Sequence, residues 1–163
     1  KMFWRIPVMD GEFMCEEMTA RIPAIGGGNF LLLSKNRSSC LLACELAVNV
    51  MSKIDNIITP FPGGVVRSGS KVGSKYKALI ASTNDAFCPS LSGITGSKLH
   101  KSVNCVMEIV INGLTRDDID KGIRESLIAI SKSKYKKDIV SVSAGNYGGK
   151  LGQHHFHLRK ILK

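Results

Sequence analysis

The chain has 163 residues, of which 44% are hydrophobic and 22% charged, a balance that suits one folded domain and excludes a disordered chain. Its formal net charge of +10 favours anionic partners, namely acidic small molecules, a membrane surface or nucleic acid. The five cysteines form no Cys-x-x-Cys pair, which predicts a reducing, cytoplasmic location, and no apolar run approaches the ~18 residues of a membrane span.

The predicted strands, in chain order, begin with a hairpin whose turn is at Asp10 and Gly11. Glycine-rich stretches precede the third strand and the last strand, and a long insertion from residue 65 to about residue 101 precedes the fifth. The apolar, turn-bounded stretches that predict strands are residues 3–8, 12–15, 30–34, 57–61, 103–114, 139–143 and 153–158.

Two helices are predicted between these strands. The first is expected to be capped by Ser38 or Ser39 and to run to about Lys53. The second begins at Thr115, which forms a capping-box pattern with Asp118. Apolar residues keep helical spacing in the first helix, at Leu41, Cys44, Val48 and Met51. In the second helix they predict a buried stripe of Ile119, Ile123, Leu127 and Ile130.

After the hairpin, the element order is strand, helix, strand, strand, helix, strand. This order predicts an α+β fold, a ferredoxin-like split β-α-β sandwich whose antiparallel sheet carries two helices on one face. We expect a single domain over residues 1–163. A short hairpin would suffice between the two middle strands, so the long inserted loop there is predicted to be functional.

One charge interrupts the apolar strand over residues 103–114. Glu108 lies between Val106 and Val110 on its own face, and a buried ionisable group without a partner is costly. Two interpretations stand about even: a general acid or base at the floor of a cleft, or a structural ion pair with a lysine or arginine. Strand alternation predicts a wholly apolar opposite face, which we expect the two helices to cover; it is made of Val103, Cys105, Met107, Ile109 and Ile111.

The inserted loop has glycines at the spacing of a nucleotide phosphate loop, but Ser70 stands where that loop needs a lysine. Two other interpretations remain open. The loop is either a flexible basic surface or a set of turns that hold a carboxylate or phosphate through backbone N–H groups and side chains. The side chains suited to such binding are Ser70, Lys71, Ser74 and Lys75.

Two further site types are weaker in this sequence. His154, His155 and His157 suggest a metal, but spacing places no third ligand, so a surface histidine cluster is the better interpretation. An RNA-binding domain of this fold needs aromatic side chains on its central strands, and residues 103–114 contain none. We therefore expect no metal and no nucleic acid.

Several strings, in the right order along nearly the whole chain, resemble formylmethanofuran:tetrahydromethanopterin formyltransferases. Residues 90–101 match that family poorly. The strings that carry the resemblance are Trp4-Arg-Ile-Pro-Val8, Gly11-Glu-Phe13, Gly27-Gly-Asn-Phe30, Pro60-Phe-Pro-Gly-Gly64, Ser70-Lys-Val-Gly-Ser-Lys75, Ala81-Ser-Thr-Asn-Asp-Ala86, Glu108-Ile-Val-Ile-Asn-Gly-Leu114 and Ser143-Ala-Gly-Asn-Tyr-Gly-Gly-Lys-Leu-Gly-Gln153.

The resemblance implies formyl transfer from methanofuran to tetrahydromethanopterin in one-carbon metabolism, with both coenzymes as anionic cosubstrates and no bound cofactor. It places the catalytic glutamate at Glu108, as a proton shuttle between two nitrogens. Asn84 and the amides of Gly63 and Gly64 are candidate oxyanion donors. The expected substrate-binding residues are Pro62, Gly63, Gly64, Ser70, Lys71, Gly73, Ser74, Lys75, Ser82, Thr83, Asn84 and Asp85.

The resemblance implies two lobes, each of ferredoxin-like fold, and within that family the chain resembles the C-terminal, or distal, lobe. The N-terminal lobe is expected to be absent, which agrees with an abrupt start in strand-like sequence. The expected partners are that lobe and further copies in a homo-oligomer. The apolar face around Glu108 is expected to meet the other lobe. The alternative is a non-catalytic basic module of the same fold that binds an anionic ligand or RNA.

Overall fold

The computed structural model describes residues 1–67, 77, 83–94, 96–145 and 152–163, which form a mixed α/β structure with antiparallel sheets. Three α-helices occur in this described part. The strands are β1 (Phe3–Val8), β2 (Gly11–Glu16), β3 (Ile25–Ser34), β4 (Ile57–Ile58), β5 (Cys105–Gly113) and β6 (Ile139–Ser143), and the helices are α1 (Arg37–Met51), α2 (Arg116–Lys132) and α3 (Leu158–Ile161).

The main sheet has four strands in the order β4-β5-β3-β6, and every neighbouring pair is antiparallel. The strands predicted over residues 3–8 and 139–143 are confirmed, and β3 begins earlier than predicted. β4 is shorter than predicted, because Pro60 and Pro62 lack the N–H that would continue the ladder. The strand predicted over residues 153–158 is wrong, since Leu158 starts α3 and Phe156 packs into the core.

The N-cap of helix α1 is Asn36, two residues before Ser38 and three before Ser39. The Asn36 side chain accepts a hydrogen bond from the Ser39 N–H at 3.1 Å, so the prediction of a Ser38 or Ser39 cap is wrong. Leu41 is 40% exposed, and a neighbouring face of α1 packs against α2 and the sheet. That face consists of Cys40, Ala43, Cys44, Ala47 and Met51.

Helix α2 follows its sequence pattern. Thr115 Oγ1 accepts from the Asp118 N–H at 3.2 Å, and Asp118 Oδ2 accepts from the Thr115 N–H at 3.0 Å, which confirms the capping box. The Thr115 hydroxyl holds the pKa of the Asp118 carboxyl below its ordinary value. The predicted stripe of Ile119, Ile123, Leu127 and Ile130 is buried.

The two faces of the sheet are covered differently. Both long helices pack on the face that carries Phe30 and Met107, and this is the larger core. On the opposite face, Leu31 and Leu33 pack with Val103 and with Phe87 and Leu99, which belong to the inserted loop between β4 and β5. The predicted position of Val103 on the helix-covered face is therefore wrong, because β5 starts only at Cys105. The inserted loop therefore covers part of the sheet face that carries Glu108.

The hairpin of β1 and β2 leaves an apolar face in solvent. Trp4 is opposite Cys15 and Ile6 is opposite Phe13, so these four side chains share one face of the ribbon. Trp4 is 58% and Phe13 55% exposed. The other face carries two ion pairs, Lys1 with Glu16 and Arg5 with Glu12. In the part of the chain that the structure describes, no helix is both long and apolar enough to cross a membrane.

Candidate active site

Glu108 lies at the centre of β5, on the face away from α1 and α2. Its backbone is opposite Leu31 in β3 on one side. On the other side it exchanges two hydrogen bonds of 2.8 Å with Val66. The residue is only 4% exposed, so the rigid sheet determines where this carboxylate lies.

Two asparagine side chains hold the Glu108 carboxylate, one at each oxygen. Asn29 Nδ2 donates to Oε1 at 2.5 Å, and Asn84 Nδ2 donates to Oε2 at 3.0 Å. The orientation of the Asn29 amide is determined by Gly145, whose N–H donates to Asn29 Oδ1 at 3.0 Å. Each Glu108 oxygen therefore accepts a hydrogen bond from a neutral side-chain amide.

The contacts of the Glu108 carboxylate bear on its two interpretations. Among the described residues the ion pairs lie elsewhere, and Glu108 takes part in none of them. Neutral amides rather than a lysine or arginine satisfy its oxygens. Within the described residues, Glu108 has no lysine or arginine partner, and its role as a general acid or base stays a prediction. Glu108 also lines a cavity.

Asn29 contacts the Glu108 carboxylate but was not among the predicted site residues. It is separated from Glu108 by 79 positions and becomes its neighbour only through the pairing of β3 with β5, in which Asn29 is opposite Val110. The sequence feature that could have indicated Asn29 is its polar side chain at the start of an otherwise apolar strand. The contact also requires Gly145, because a Cβ there would lie 2.6 Å from Asn29 Nδ2.

The Glu108 carboxylate borders a cavity of about 330 Å³. Its floor is the β3–β5 sheet face, and one wall is the inserted segment that contains Asn84 and Phe87. The polar side chains that line it are Arg37, Arg67, Asn84, Ser90, Asn104 and Glu108. Such a small number of polar groups in a partly apolar cavity is typical of a small-molecule site.

Thiol chemistry is disfavoured in this cavity. Burial raises the pKa of Cys105 to about 11 and also raises that of Cys88, which lies near Asp85. Beneath the sheet, a hydrogen bond from Cys44 raises the pKa of Cys40 further. Cys88 and Cys105, the thiols that line the cavity, are therefore protonated near neutral pH and are poor nucleophiles.

The other predicted site residues fall into three groups. Pro62, Gly63 and Gly64 form a turn against α1 outside the residues that line the cavity, and the Gly64 N–H donates to the Phe61 carbonyl at 2.8 Å. Thr83 and Asp85 flank Asn84 without lining the cavity. The remaining predicted residues, Ser70, Lys71, Gly73, Ser74, Lys75 and Ser82, lie outside the described part of the chain.

The histidines form no metal site in the described residues, where no group of three or more His, Cys, Asp or Glu side chains could hold an ion. His154 lines a second cavity between the two glycine-rich stretches, beside Asn29 and Gly145. The backbone carbonyl of His155 accepts a hydrogen bond of 2.9 Å from the Arg116 side chain of α2.

Comparison with known proteins identifies the family. A family model described as "FTR, proximal lobe" matches residues 11–161. The chain belongs to the formylmethanofuran:tetrahydromethanopterin formyltransferase family. The prediction of the distal lobe is wrong, because the formyltransferase model that matches is that of the proximal lobe. Both lobes were expected to share one fold, so periodicity and turn signals could not distinguish them.

Individual formyltransferases are similar to nearly the whole chain. The enzyme of this name from Methylobacillus flagellatus is 60% identical over 99% of this chain and 54% of its own length. The formyltransferase/hydrolase complex from Methylorubrum extorquens, solved with methylofuran, has a similar chain at 49% identity and a TM-score of 0.78. The Methanosarcina barkeri formyltransferase has a TM-score of 0.76 at 40% identity. Our chain covers 53% of each of these two solved chains.

Proposed function

We propose that this chain is the Glu108-bearing lobe of an enzyme that transfers a formyl group between formylmethanofuran and tetrahydromethanopterin. The observation that carries the proposal is the buried Glu108 carboxylate, held by Asn29 and Asn84 at a cavity wall. It is supported by the formyltransferase names of relatives that match the chain almost from end to end. No bound cofactor is needed for this transfer.

In the proposed reaction, an amine nitrogen of the acceptor attacks the formyl carbon of the donor and a tetrahedral oxyanion forms. The attacking nitrogen must lose a proton, and the departing nitrogen must gain one before its bond to carbon breaks. A carboxylate whose two oxygens accept hydrogen bonds is in the form that takes the first proton and can return it in the second step. Asn84, which lies in the same cavity, is our candidate donor to the oxyanion.

The expected substrate-binding residues of the inserted loop remain part of this proposal. Lys71 and Lys75 are expected to hold anionic groups away from the reacting carbon, so Lys→Ala changes should raise KM more than they lower kcat. That rise should shrink at high salt, where charge interactions are screened. A basic surface loop without a binding role would leave KM unchanged in both variants.

We also propose the ferredoxin-like arrangement for residues 1–163 as one lobe. Its support is the chain order β3-α1-β4-β5-α2-β6 together with the antiparallel sheet order β4-β5-β3-β6. The inserted loop lies between β4 and β5, where this fold needs only a hairpin. The helices α1 and α2 that cover one sheet face agree with the same arrangement.

The proposed partner is the remaining part of the formyltransferase, since this chain spans about half the length of the curated relatives that it matches. The apolar face of the β1–β2 hairpin supports this, because Trp4 and Phe13 are too exposed for a surface without a partner. Trp4 is the single tryptophan of the chain, so its fluorescence should shift to the blue when the other lobe is added. A homo-oligomer stays a prediction.

Formyl-transfer assays of the complete enzyme, in which this chain is combined with the other lobe, test the proposed function. Glu108→Gln should lower kcat by roughly two to four orders of magnitude, the range of acid–base groups. Glu45→Gln is the matched control, because Glu45 is exposed on α1. Near-normal kcat for Glu108→Gln would refute the role of Glu108. If the chain does not bind the other lobe but binds RNA tightly, the basic binding module is favoured.

A further inference from the structure

We infer that Arg37 and Arg67 form an anion-binding subsite in the Glu108 cavity and hold a carboxylate or phosphate group of the substrate. This inference rests on the proposed function, because it assigns the substrate class of the same cavity. It also names residues outside the inserted basic loop, to which the sequence had assigned anion binding.

The positions of the two arginines support the subsite. Arg37 is the first residue of α1, and Arg67 directly follows Val66, which pairs with the Glu108 backbone. Both line the cavity that Glu108 borders. Both guanidinium groups also act on the Cys105 thiol, lowering its pKa against the larger effect of burial. They therefore lie within electrostatic reach of the same part of the cavity wall.

The described residues leave an excess of basic side chains at the cavity. Within the described part of the chain, neither Arg37 nor Arg67 forms an ion pair. Glu108 is the carboxylate that lines the cavity, and its oxygens are held by the amides of Asn29 and Asn84. Two guanidinium groups thus face a cavity that holds one carboxylate, which leaves one positive charge in excess.

The chemistry of the guanidinium group specifies the ligand. Its planar set of N–H donors matches the paired oxygens of a carboxylate or a phosphate, whereas an ammonium group acts as a point charge. In a cavity of about 330 Å³ an anionic group held by Arg37 or Arg67 also orients the rest of the ligand. The ligand is therefore expected to carry its acidic group close to the atom on which Glu108 acts.

Anion binding to this chain can be measured without formyl transfer. Inorganic phosphate and glutarate should be titrated at low salt into chain labelled with ¹⁵N, with the arginine Nε–H signals as the readout. We expect the Arg37 and Arg67 signals to shift, and the stronger of the two probes identifies phosphate or carboxylate as the preferred group. Arg37→Ala and Arg67→Ala should each weaken binding roughly 10- to 100-fold.

Three comparisons make the result decisive. Arg37→Lys and Arg67→Lys keep the charge and should recover only part of the affinity, because they lose the planar set of donors. Arg21→Ala removes an exposed arginine outside the cavity and should leave binding unchanged. Equal losses in Arg21→Ala and the cavity variants would overturn the subsite in favour of a general effect of the +10 charge. Unchanged binding in both cavity variants would overturn it as well.

The subsite and the proposed function fail in different measurements. If Glu108→Gln abolishes turnover while Arg37→Ala and Arg67→Ala bind both probes normally, the subsite is wrong and the formyl-transfer function stands. If the arginine variants lose binding while Glu108→Gln turns over normally, the subsite stands and the proposed catalytic function is wrong. Circular dichroism of each variant checks that the fold is retained.

Discussion

An exchange of the carboxylate and amide groups between positions 108 and 29, made by Glu108→Gln and Asn29→Asp, tests the arrangement of the candidate site. Glu108 offers two acceptor oxygens to the amides of Asn29 and Asn84. Glu108→Gln leaves one acceptor for two donors, so one buried N–H loses its partner, at a cost of about 1–3 kcal/mol. Asn29→Asp alone brings a second carboxylate to within hydrogen-bond distance of the first, and we expect a loss of at least similar size.

The double variant should regain stability. The new amide at position 108 can donate to the new carboxylate at position 29, whose second oxygen still accepts from the Gly145 N–H. Asn84 keeps an acceptor at position 108. The loss of unfolding free energy in the double variant should therefore be smaller than the sum of the single losses, by about 2–3 kcal/mol.

Urea unfolding of the four proteins at pH 7 measures this coupling energy. Asn112→Asp is the matched control for position 29, because Asn112 also accepts from a glycine N–H, that of Gly27 at 2.9 Å, but is four residues from Glu108 in β5. Combined with Glu108→Gln, it should be additive within about 0.5 kcal/mol. Additivity of Asn29→Asp with Glu108→Gln would refute the hydrogen-bonded arrangement described here.

Three further predictions follow from local geometry. Gly145→Ala should lower the thermal midpoint, because its Cβ would lie 2.6 Å from Asn29 Nδ2, whereas Gly93→Ala, with nothing within 4 Å, should not; equal effects would contradict this. At pH 8, Cys105 in the folded chain should be alkylated by iodoacetamide roughly 100-fold more slowly than in the unfolded chain, because its pKa is raised to about 11; mass spectrometry measures the rates, and equal rates would contradict burial. The pKa of Asp118 is lowered in the folded chain, so its stabilisation is complete above the ordinary value of 3.8 and lost as pH falls through the folded value. The difference in unfolding free energy between wild type and Asp118→Asn should vanish at pH values below the folded pKa of Asp118. A difference independent of pH would contradict this prediction.

Local features of the fold could be predicted from the sequence. The capping box of Thr115 and Asp118 and the α2 stripe depend on residues three or four apart, so spacing alone specifies them. The start of the first helix was harder to predict, because Asn36, Ser38 and Ser39 all have side chains that can cap a helix. Only the backbone geometry selects Asn36. The end of the chain was mistaken for a strand, since its short apolar segments pack as a turn and a short helix.

The candidate site could be predicted only in part. Glu108 stands out in sequence because a charge within an apolar strand breaks a local pattern. Its partners Asn29 and Asn84 are 79 and 24 positions away and meet it only through sheet pairing and the inserted segment. Arg37 and Arg67 likewise come together through the fold, and neither lies in a motif that indicates anion binding.

The turnover of the stabilised double variant separates a chemical role of Glu108 from a structural one. In the complete enzyme, the variant that combines Glu108→Gln with Asn29→Asp keeps a hydrogen-bonded pair but lacks a carboxylate at position 108. We predict that it folds with recovered stability and transfers formyl groups at roughly 10⁻² to 10⁻⁴ of the wild-type kcat. A stable double variant with kcat within about tenfold of wild type would show that Glu108 serves the structure and does not carry the proton.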